Sequence, residues 1–364
     1  MNIVVWIILA FTLLQFIIAL TNLLFRPKYR LREKEQNELV SVLIPARNEA
    51  KNIGSILNDL MRQSYSRLEI IVFNDESTDQ TKKIVKLLSR SDSRIRLINS
   101  TGLPEGWLGK NNACHVLGKE AKGNYLLYLD ADVNLGKNTI SKTVDYLRKH
   151  KLSLLSVFPK QQMKSFGERI TVPNMNFILL TLLPLVLVEK TSKPSLAAAN
   201  GQFMLFNSKS YKEFQPHEKL KASKVEDIEI SQLFKKNGLQ VACHACFSEI
   251  SCRMYNSFVE AVNGFSKNVI MFFGNSAILA LLFWLITTFG FLVILLAKTL
   301  MFFFGYLLVV VLTRLLVSLT SNQNVLFNIV LFPMQQLTMG VFIFQSMINR
   351  YRKNYVWKGR RITY

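Results

Sequence analysis

Acidic residues are scarce in this chain. Asp and Glu number 24 against 45 Lys and Arg, a formal charge of +21 over 364 residues. An excess of that size suits an anionic partner: nucleic acid, the inner membrane leaflet or a phosphorylated substrate. Half of the residues are hydrophobic, and the basic residues are spread along the chain and flank apolar runs. That pattern fits lipid headgroups and argues against nucleic acid as the partner. Cysteine is sparse too. Cys243, Cys246 and Cys252 fall in "ACHACFSEISC" with His244, and Cys114 stands apart. There is no second Cys-x-x-Cys pair and His115 is distant in sequence, so a zinc-type site lacks its second half. The thiols read as small buried hydrophobes. No internal repeat and no low-complexity linker breaks the chain.

What is abundant is apolar sequence. Residues 1–25, "MNIVVWIILAFTLLQFIIALTNLLF", are long enough to cross a bilayer as a helix. They lack the basic n-region and small-residue cleavage site of a signal peptide, and so read as a retained anchor. "RPKYRLREK" follows, and the positive-inside rule puts it in the cytoplasm. Residues 276–297, 299–319 and 325–348 are further runs of spanning length. If all three cross, the basic tail 349–364, "NRYRKNYVWKGRRITY", ends outside, against that rule. The charge bias outranks the span count, so the tail is expected in the cytoplasm. Pro333, Gln335 and Gln336 mark the last run as interfacial or re-entrant. "FILLTLLPLVLV", residues 177–188, is short for a span and reads either as an interfacial segment or as a buried core helix.

Between about residues 38 and 273 the composition is mixed. "ELVSVLIP", "LEIIVFN", "IRLIN" and "YLLYLD" read as strands, with helices expected over about 49–63 and 78–90. Strands alternating with helices predict an α/β fold with a mostly parallel sheet. Ligands bind such sheets beyond the carboxyl ends of the strands. The polar motifs fall at those ends. "PARNEA" places Pro45, Arg47 and Glu49 in a strand-to-helix turn, which can present donors to a ligand or simply cap a helix. "NDESTDQT" places Asp75 just past a strand, free to accept from a ring N–H. Asp79 can support that loop, and Ser77 or Thr78 can serve as an N-cap. "GWLGKNNA" offers Gly109 for close backbone approach and Lys110 as a point charge for phosphate, or as one more solvated lysine.

"YLLYLDADV" is the strongest local signal. Asp130 and Asp132 begin where an apolar strand ends. Two facing carboxylates repel and raise one pKa. A hard divalent cation removes that penalty and recruits phosphate oxygens. Metal–diphosphate binding is the expected role of the pair.

Taken together and in this order, "PARNE", "NDESTD", "GK" and "DAD" resemble glycosyltransferase family 2 over about residues 38–270. The resemblance implies the GT-A fold, with Asp75 on the uracil of a nucleotide-sugar. It makes Asp130 and Asp132 the Asp-x-Asp pair, with Asp132 the direct ligand of a Mn or Mg ion. "GQFMLFNSKSYKEF" resembles the family's acceptor-side strand. "KVEDIEISQLFKKNG" resembles its Glu-Asp motif, which implies Asp227 as catalytic base and Glu226 as its positioning partner. The Gln-x-x-Arg-Trp motif of processive members is absent, which argues against polymer synthesis. "RMYNSFVEAVNGFSKN" and "VWKGRRITY" look similar to a narrower group of membrane glycosyltransferases acting on lipids, the diaponeurosporenoate (carotenoid) glycosyltransferases among them. Phe265 stands where that group shows tryptophan.

The expected organisation is an anchor at 1–25, a GT-A domain at 38–273, membrane helices at 276–348 and a cytoplasmic tail at 349–364. The expected function is inverting, metal-dependent transfer of a hexose from a UDP-sugar to a membrane lipid. Alternatives are a polyprenyl-phosphate glycosyltransferase and a non-catalytic scaffold with a degenerate sugar-nucleotide fold. The sequence sets no oligomeric state.

Overall fold

The computed structural model describes residues 3–29, 38–297, 300–352, 355–357 and 360–362. Most of the basic stretch that follows the first apolar run, residues 30–37, lies outside these, as do parts of the tail. The chain forms two compact units. One comprises Pro27–Lys160 and Leu187–Cys252; the other comprises Met1–Arg26, Gln161–Val186 and Arg253–Tyr364.

The first unit is built on a seven-stranded sheet. Its spatial order is Ile95–Asn99, Leu68–Asn74, Val40–Ala46, Tyr125–Leu129, Phe203–Asn207, Leu154–Phe158 and Val241–Ala245. Phe203–Asn207 runs antiparallel to both of its neighbours, and the other pairings are parallel. Val42, Ile44, Ile70, Val72, Leu127 and Leu129 are fully buried. Each such side chain contributes roughly 1.5–3 kcal/mol through its removal from water. Near-continuous apolar strands are what a sheet covered on both faces requires. The strands fall close to where the sequence puts them. The helices begin later, at Ile53 and Thr81 instead of about 49 and 78. The reason is local. The turns ahead of them are stitched together by side chains, with backbone at positive φ at Asn48 (53°) and Glu76 (51°).

The parallel strands share one carboxyl edge, and the antiparallel strand Phe203–Asn207 enters the sheet there. Residues 47, 75, 130 and 201 therefore meet on that edge. The register is held at the opposite edge by Gly123. Its N–H donates to Ser41 Oγ (2.8 Å), and the next N–H, of Asn124, donates to Leu39 O (2.8 Å).

The second unit is helical. Among the described residues, three helices are long and apolar enough to cross a membrane: Ile3–Leu24, Ala277–Leu296 and Leu300–Thr320. The last apolar run is broken. Helix Val325–Val330 stops at Leu331, and Phe332–Arg352 starts afresh with Pro333 in its first turn. A proline there has no N–H to lose and blocks continuation from the preceding turn. The segment 177–188 is also two pieces, Pro173–Leu182 and the helix that starts at Leu185. Residues 177–181 are buried, so this segment is a core helix of its unit. Pro184 breaks it, and Asn22 of the first helix satisfies the break. The Asn22 amide donates to Leu180 O (3.0 Å) and Leu183 O (2.9 Å), and its Oδ1 accepts from Leu185 N (2.7 Å). In the tail, Tyr355–Trp357 pairs antiparallel with Arg360–Ile362.

Gly123→Ala tests the packing at the edge of the sheet. An added Cβ would lie 2.6 Å from Ser41 Oγ, 2.7 Å from Ser41 N and 2.8 Å from Leu39 O. Two of these atoms are backbone and cannot turn aside. The expected loss is about 1–3 kcal/mol of stability, the usual cost of overpacking. Thermal unfolding of the variant beside the parent checks it, and an unchanged midpoint would contradict the geometry.

Candidate active site

Two loops build one side of the carboxyl edge. Pro45 sits where Val40–Ala46 has parted from Tyr125–Leu129, whose register with it ends at Leu43, so its missing N–H costs that ladder nothing. Asp75 continues the next strand. Its N–H donates to Ala46 O (2.8 Å), and its carbonyl accepts from Arg47 Nη1 (2.7 Å). The Asp75 side chain is buried, with a carboxylate oxygen 3.8 Å from the same guanidinium nitrogen. The two turns are sewn together. Asn48 N–H donates to Ser77 Oγ (3.0 Å), and Thr78 N–H donates to Asn48 Oδ1 (2.9 Å). Asp79 accepts from Ala50 N (2.9 Å) and Thr81 N (2.9 Å). Ser77 and Thr78 therefore bind the neighbouring loop and cap no helix; the cap position before Thr81 is Gln80. Burial alone would push the Asp79 carboxyl up, but the Thr81 and Ala50 donors outweigh it and hold it low. Glu49 donates its N–H to Thr81 Oγ1 (2.8 Å), and its carboxylate accepts from Asn52 (2.9 Å).

The other side is a cluster of charge. The strand ends at Leu129, and a turn from Asp130 to Val133 swings both aspartates off the sheet. Lys110, in the first turn of helix Gly109–Glu120, lies 2.9 Å from Asp130 Oδ1 and 3.6 Å from Glu226 Oε1. It is thus a bridge between two carboxylates. Its burial favours the neutral amine, yet the two acids overcome this and hold its pKa well above the ordinary value. Glu226 and Asp227 open helix Glu226–Lys236, where acids complement the helix dipole. The Asp227 carboxylate accepts from Gly201 N (2.9 Å) and Ile228 N (2.8 Å). Gly201 adjoins the cluster closely: a Cβ would sit 3.0 Å from Lys110 Nζ and 3.6 Å from both Asp227 Oδ2 and Glu226 Oε1. Burial pushes Glu226 up to about 7, Lys110 opposing and Asp227 adding to it. It raises Asp227 as well, against Lys110 and the two backbone donors.

Asp132 is the acid with least support. Burial, then the charge of Asp130, pushes its carboxyl up to about 7, with Glu49 adding to the rise. Its Oδ1 is buried without a hydrogen-bond partner. The one side-chain donor that lowers it is the Cys252 thiol, which itself accepts from Gln202 Nε2 (2.9 Å). Four carboxylates and one ammonium leave a net negative pocket in a strongly basic chain. Such a site draws a cation, and an orphaned carboxylate oxygen beside a second carboxylate fits a hard divalent ion. Among the described residues no group of three or more His, Cys, Asp or Glu gathers as a metal site, so such an ion would need further oxygens from its ligand.

The residues read from the sequence fall into two groups on one sheet edge. Pro45, Arg47, Glu49 and Asp75 make the loops; Lys110, Asp130, Asp132, Glu226 and Asp227 make the charged cluster. From the sequence, Gly201 and Gln202 read only as part of an acceptor-side strand and Cys252 only as a buried thiol, not as neighbours of the aspartates. Cys252 pairs with Val133 across two short antiparallel strands, a juxtaposition of distant chain that no local pattern announces. The four cysteines are free and buried. His244 is engaged by Tyr29 and approaches Glu189 at 3.7 Å, and burial keeps it neutral.

A mostly parallel sheet with carboxylates crowding its carboxyl edge is the architecture of a GT-A nucleotide-sugar domain. The mannosyltransferase PcManGT of Pyrobaculum calidifontis, solved with GDP-Man and Mn2+, shares the fold with a TM-score of 0.58 at 14% identity, over 96% of this chain and 99% of that one. Residues 41–215 match the family Glycosyl transferase family 2. The 4,4'-diaponeurosporenoate glycosyltransferase of Staphylococcus haemolyticus is 27% identical over 247 residues, 65% of this chain and 63% of the relative. The protein of that name from Staphylococcus aureus is 27% identical over 255 residues, 68% of this chain and 66% of the relative. The chain spans just under two thirds of the length of these relatives.

Asp79→Ala probes the stitched loops. It strips Ala50 N and Thr81 N of their acceptor; the exposed Ala50 donor can turn to water, and the part-buried Thr81 donor left unmet costs about 1–3 kcal/mol. Unfolding should fall accordingly, with a smaller loss for Asp79→Asn, which keeps one acceptor oxygen. Equal stability of Asp79→Ala and parent would show the contacts to be incidental.

Proposed function

We propose that this protein is an inverting, divalent-metal-dependent glycosyltransferase that moves a hexose from a UDP-sugar to a membrane lipid, with a carotenoid acid as the acceptor class. The observation that carries the reading is the convergence of Asp130, Asp132, Glu226 and Asp227 around Lys110 at the sheet edge. Asp132 and Asp130 would hold Mn or Mg, and the bound ion would neutralise the diphosphate and complete its shell with phosphate oxygens. Asp75, buried at a strand end, accepts from the uracil ring N–H, and Arg47 braces the loop that carries it. Pro45 and Glu49 shape the same wall. Lys110 ties Asp130 to Glu226, so the donor side and the acceptor side share one cation.

Asp227 acts on the acceptor. For a hydroxyl, its carboxylate takes the proton as the oxygen attacks the anomeric carbon. The new bond forms opposite the departing nucleoside diphosphate, and the carbon inverts. The two backbone donors fix the Asp227 carboxylate, so its geometry does not depend on substrate. A carboxylate acceptor arrives already deprotonated, and Asp227 then only orients it. The acid pair at the helix start is the second feature that favours catalysis over a scaffold role.

The membrane reading rests on the three long apolar helices. Ile3–Leu24 precedes the catalytic unit, and two spanning helices separate that unit from the tail. An even number of crossings puts both on the same face. The positive-inside rule makes that face cytoplasmic. The protein is then a multi-pass membrane protein whose basic surface meets anionic headgroups.

Calorimetric titration of UDP beside a transfer assay tests the assignment of roles. Asp132→Ala should stay folded and lose transfer. Asp227→Asn should keep nucleotide affinity and lose ~100- to 10,000-fold in rate with a hydroxyl acceptor, the range of general-base catalysis. Asp75→Ala should do the reverse, weakening UDP binding by about 1–3 kcal/mol. Equal loss of UDP affinity in Asp227→Asn and Asp75→Ala would sink the division of labour.

Topology has its own check. A single cysteine placed in 349–364, with the native cysteines replaced, should resist an impermeant thiol reagent in intact cells. Ready labelling would put the tail outside and refute the two-crossing arrangement.

A further inference from the structure

Helix Leu300–Thr320 carries an arginine inside the helical unit. Arg314 is 3% exposed. One of its nitrogens, Nη1, donates to Gln335 Oε1 (3.1 Å). The guanidinium lies over the Phe177 ring, 3.7 Å from its centre, with Phe332 further off at 5.7 Å. A flat stack on an aromatic face leaves the in-plane N–H groups pointing sideways, so the rings do not satisfy them. Nε and Nη2 are buried and have no hydrogen-bond partner.

Those two atoms form the side-on fork that grips paired oxygens. The same protein uses it twice elsewhere. Arg253 holds Glu168 through Nε (3.3 Å) and Nη2 (2.8 Å). Arg94 holds Asp92 through Nε (3.0 and 3.1 Å) and Nη2 (2.6 Å). At Arg314 the fork is unfilled, and the described residues of its own unit hold no free carboxylate to fill it. Met1–Arg26, Gln161–Val186 and Arg253–Tyr364 contain two acidic residues, Glu168 and Glu260. Glu168 is taken by Arg253, and Glu260 accepts from Asn256 N (2.8 Å). The neutral groups nearby are committed as well. Gln335 Nε2 donates to Arg169 O (3.0 Å) and Asn328 Oδ1 (3.1 Å), and Asn328 donates to Ser318 and Gln323.

We propose that Arg314 is the receptor for the oxyanion of a membrane amphiphile, a phosphate or a carboxylate borne on an apolar chain. The position suits it. Arg314 lies 320 − 314 = 6 residues from the end of its helix, about 9 Å at 1.5 Å per residue. In the two-crossing arrangement that end faces the cytoplasm, so the fork sits just below the headgroup level of the inner leaflet. Both atoms are shielded, so occupation requires neighbouring side chains to turn aside. The proposal rests on the membrane reading of this helix and not on the transfer chemistry. Its test therefore uses no activity.

The full chain is purified in a neutral detergent. Phosphatidylglycerol, oleate, phosphatidylcholine and inorganic phosphate are titrated in turn, with thermal unfolding and native mass spectrometry as readouts. Phosphatidylglycerol or oleate should raise the parent's midpoint saturably and add one bound mass. Arg314→Met should lose both responses. Arg314→Lys, which keeps the charge without the fork, should need about 10- to 100-fold more lipid and covers the case in which the methionine variant fails to fold. Response to phosphatidylglycerol alone assigns the site to phospholipid, and response to oleate alone assigns it to a lipid acid. The proposal is overturned if Arg314→Lys and parent respond alike, if phosphatidylcholine or inorganic phosphate works as well, or if no probe acts, which would leave the fork to buried water.

Discussion

The charged cluster depends on one ammonium. Among the described residues, Lys110 is the cation that pairs with both Asp130 and Glu226 and lowers Asp227, and it sits at the start of a helix. Without it three part-buried carboxylates would face one another, and their mutual repulsion would raise their pKa values. With it they hold a fixed geometry, and Asp132, whose Oδ1 is buried without a partner, is the acid of the cluster that Lys110 relieves least. Gly201 belongs to the same constraint, since a Cβ there would press on the Lys110 ammonium at 3.0 Å. The sheet serves this arrangement by bringing the strand ends and the start of an antiparallel strand to one edge.

Much of this was legible in the chain. The strands Leu68–Asn74 and Ile95–Asn99 lie where their apolar patterns put them. The polar residues that follow them had no reason to be there except the edge. A family resemblance carried the Glu-Asp pair, which on its own is only a good helix start. Less visible were the features that depend on distant chain. Nothing around Ser77 distinguishes a helix cap from a donor's partner in the opposite loop, because both uses want a small hydroxyl. Cys252 reads as filler until the short strands bring it to Asp132. The segment Gln161–Val186, which joins the apolar unit, follows directly on mixed sequence, so composition does not mark the crossing from one unit to the other.

The two units also solve polar burial differently. In the sheet unit, buried charges are opposed by charges, and the backbone lends donors to what remains. In the helical unit the buried Glu168 is met by Arg253, and beyond that pair amides do this work: Gln335, Gln336 and Asn328 link helices through carbonyls and hydroxyls, and Trp284 donates to Gln336 O (2.8 Å). Neutral links suit a region with two carboxylates in all. They also explain why the last apolar run carries glutamines that a simple spanning helix would avoid.

Asn22 has a consequence for the order in which the chain takes shape. Its three hydrogen-bonding groups are met by residues 180–185, and Leu185 emerges from synthesis 185 − 22 = 163 residues after it. Until then the first helix carries an unanswered amide, and the Pro184 break has open carbonyls once it is made. Polar groups left unmet in an apolar medium are costly. The first helix is therefore not a tether that could be exchanged for any apolar stretch. It waits for a specific partner, and the helical unit closes only after the strands between Val40 and Phe158 have been synthesised.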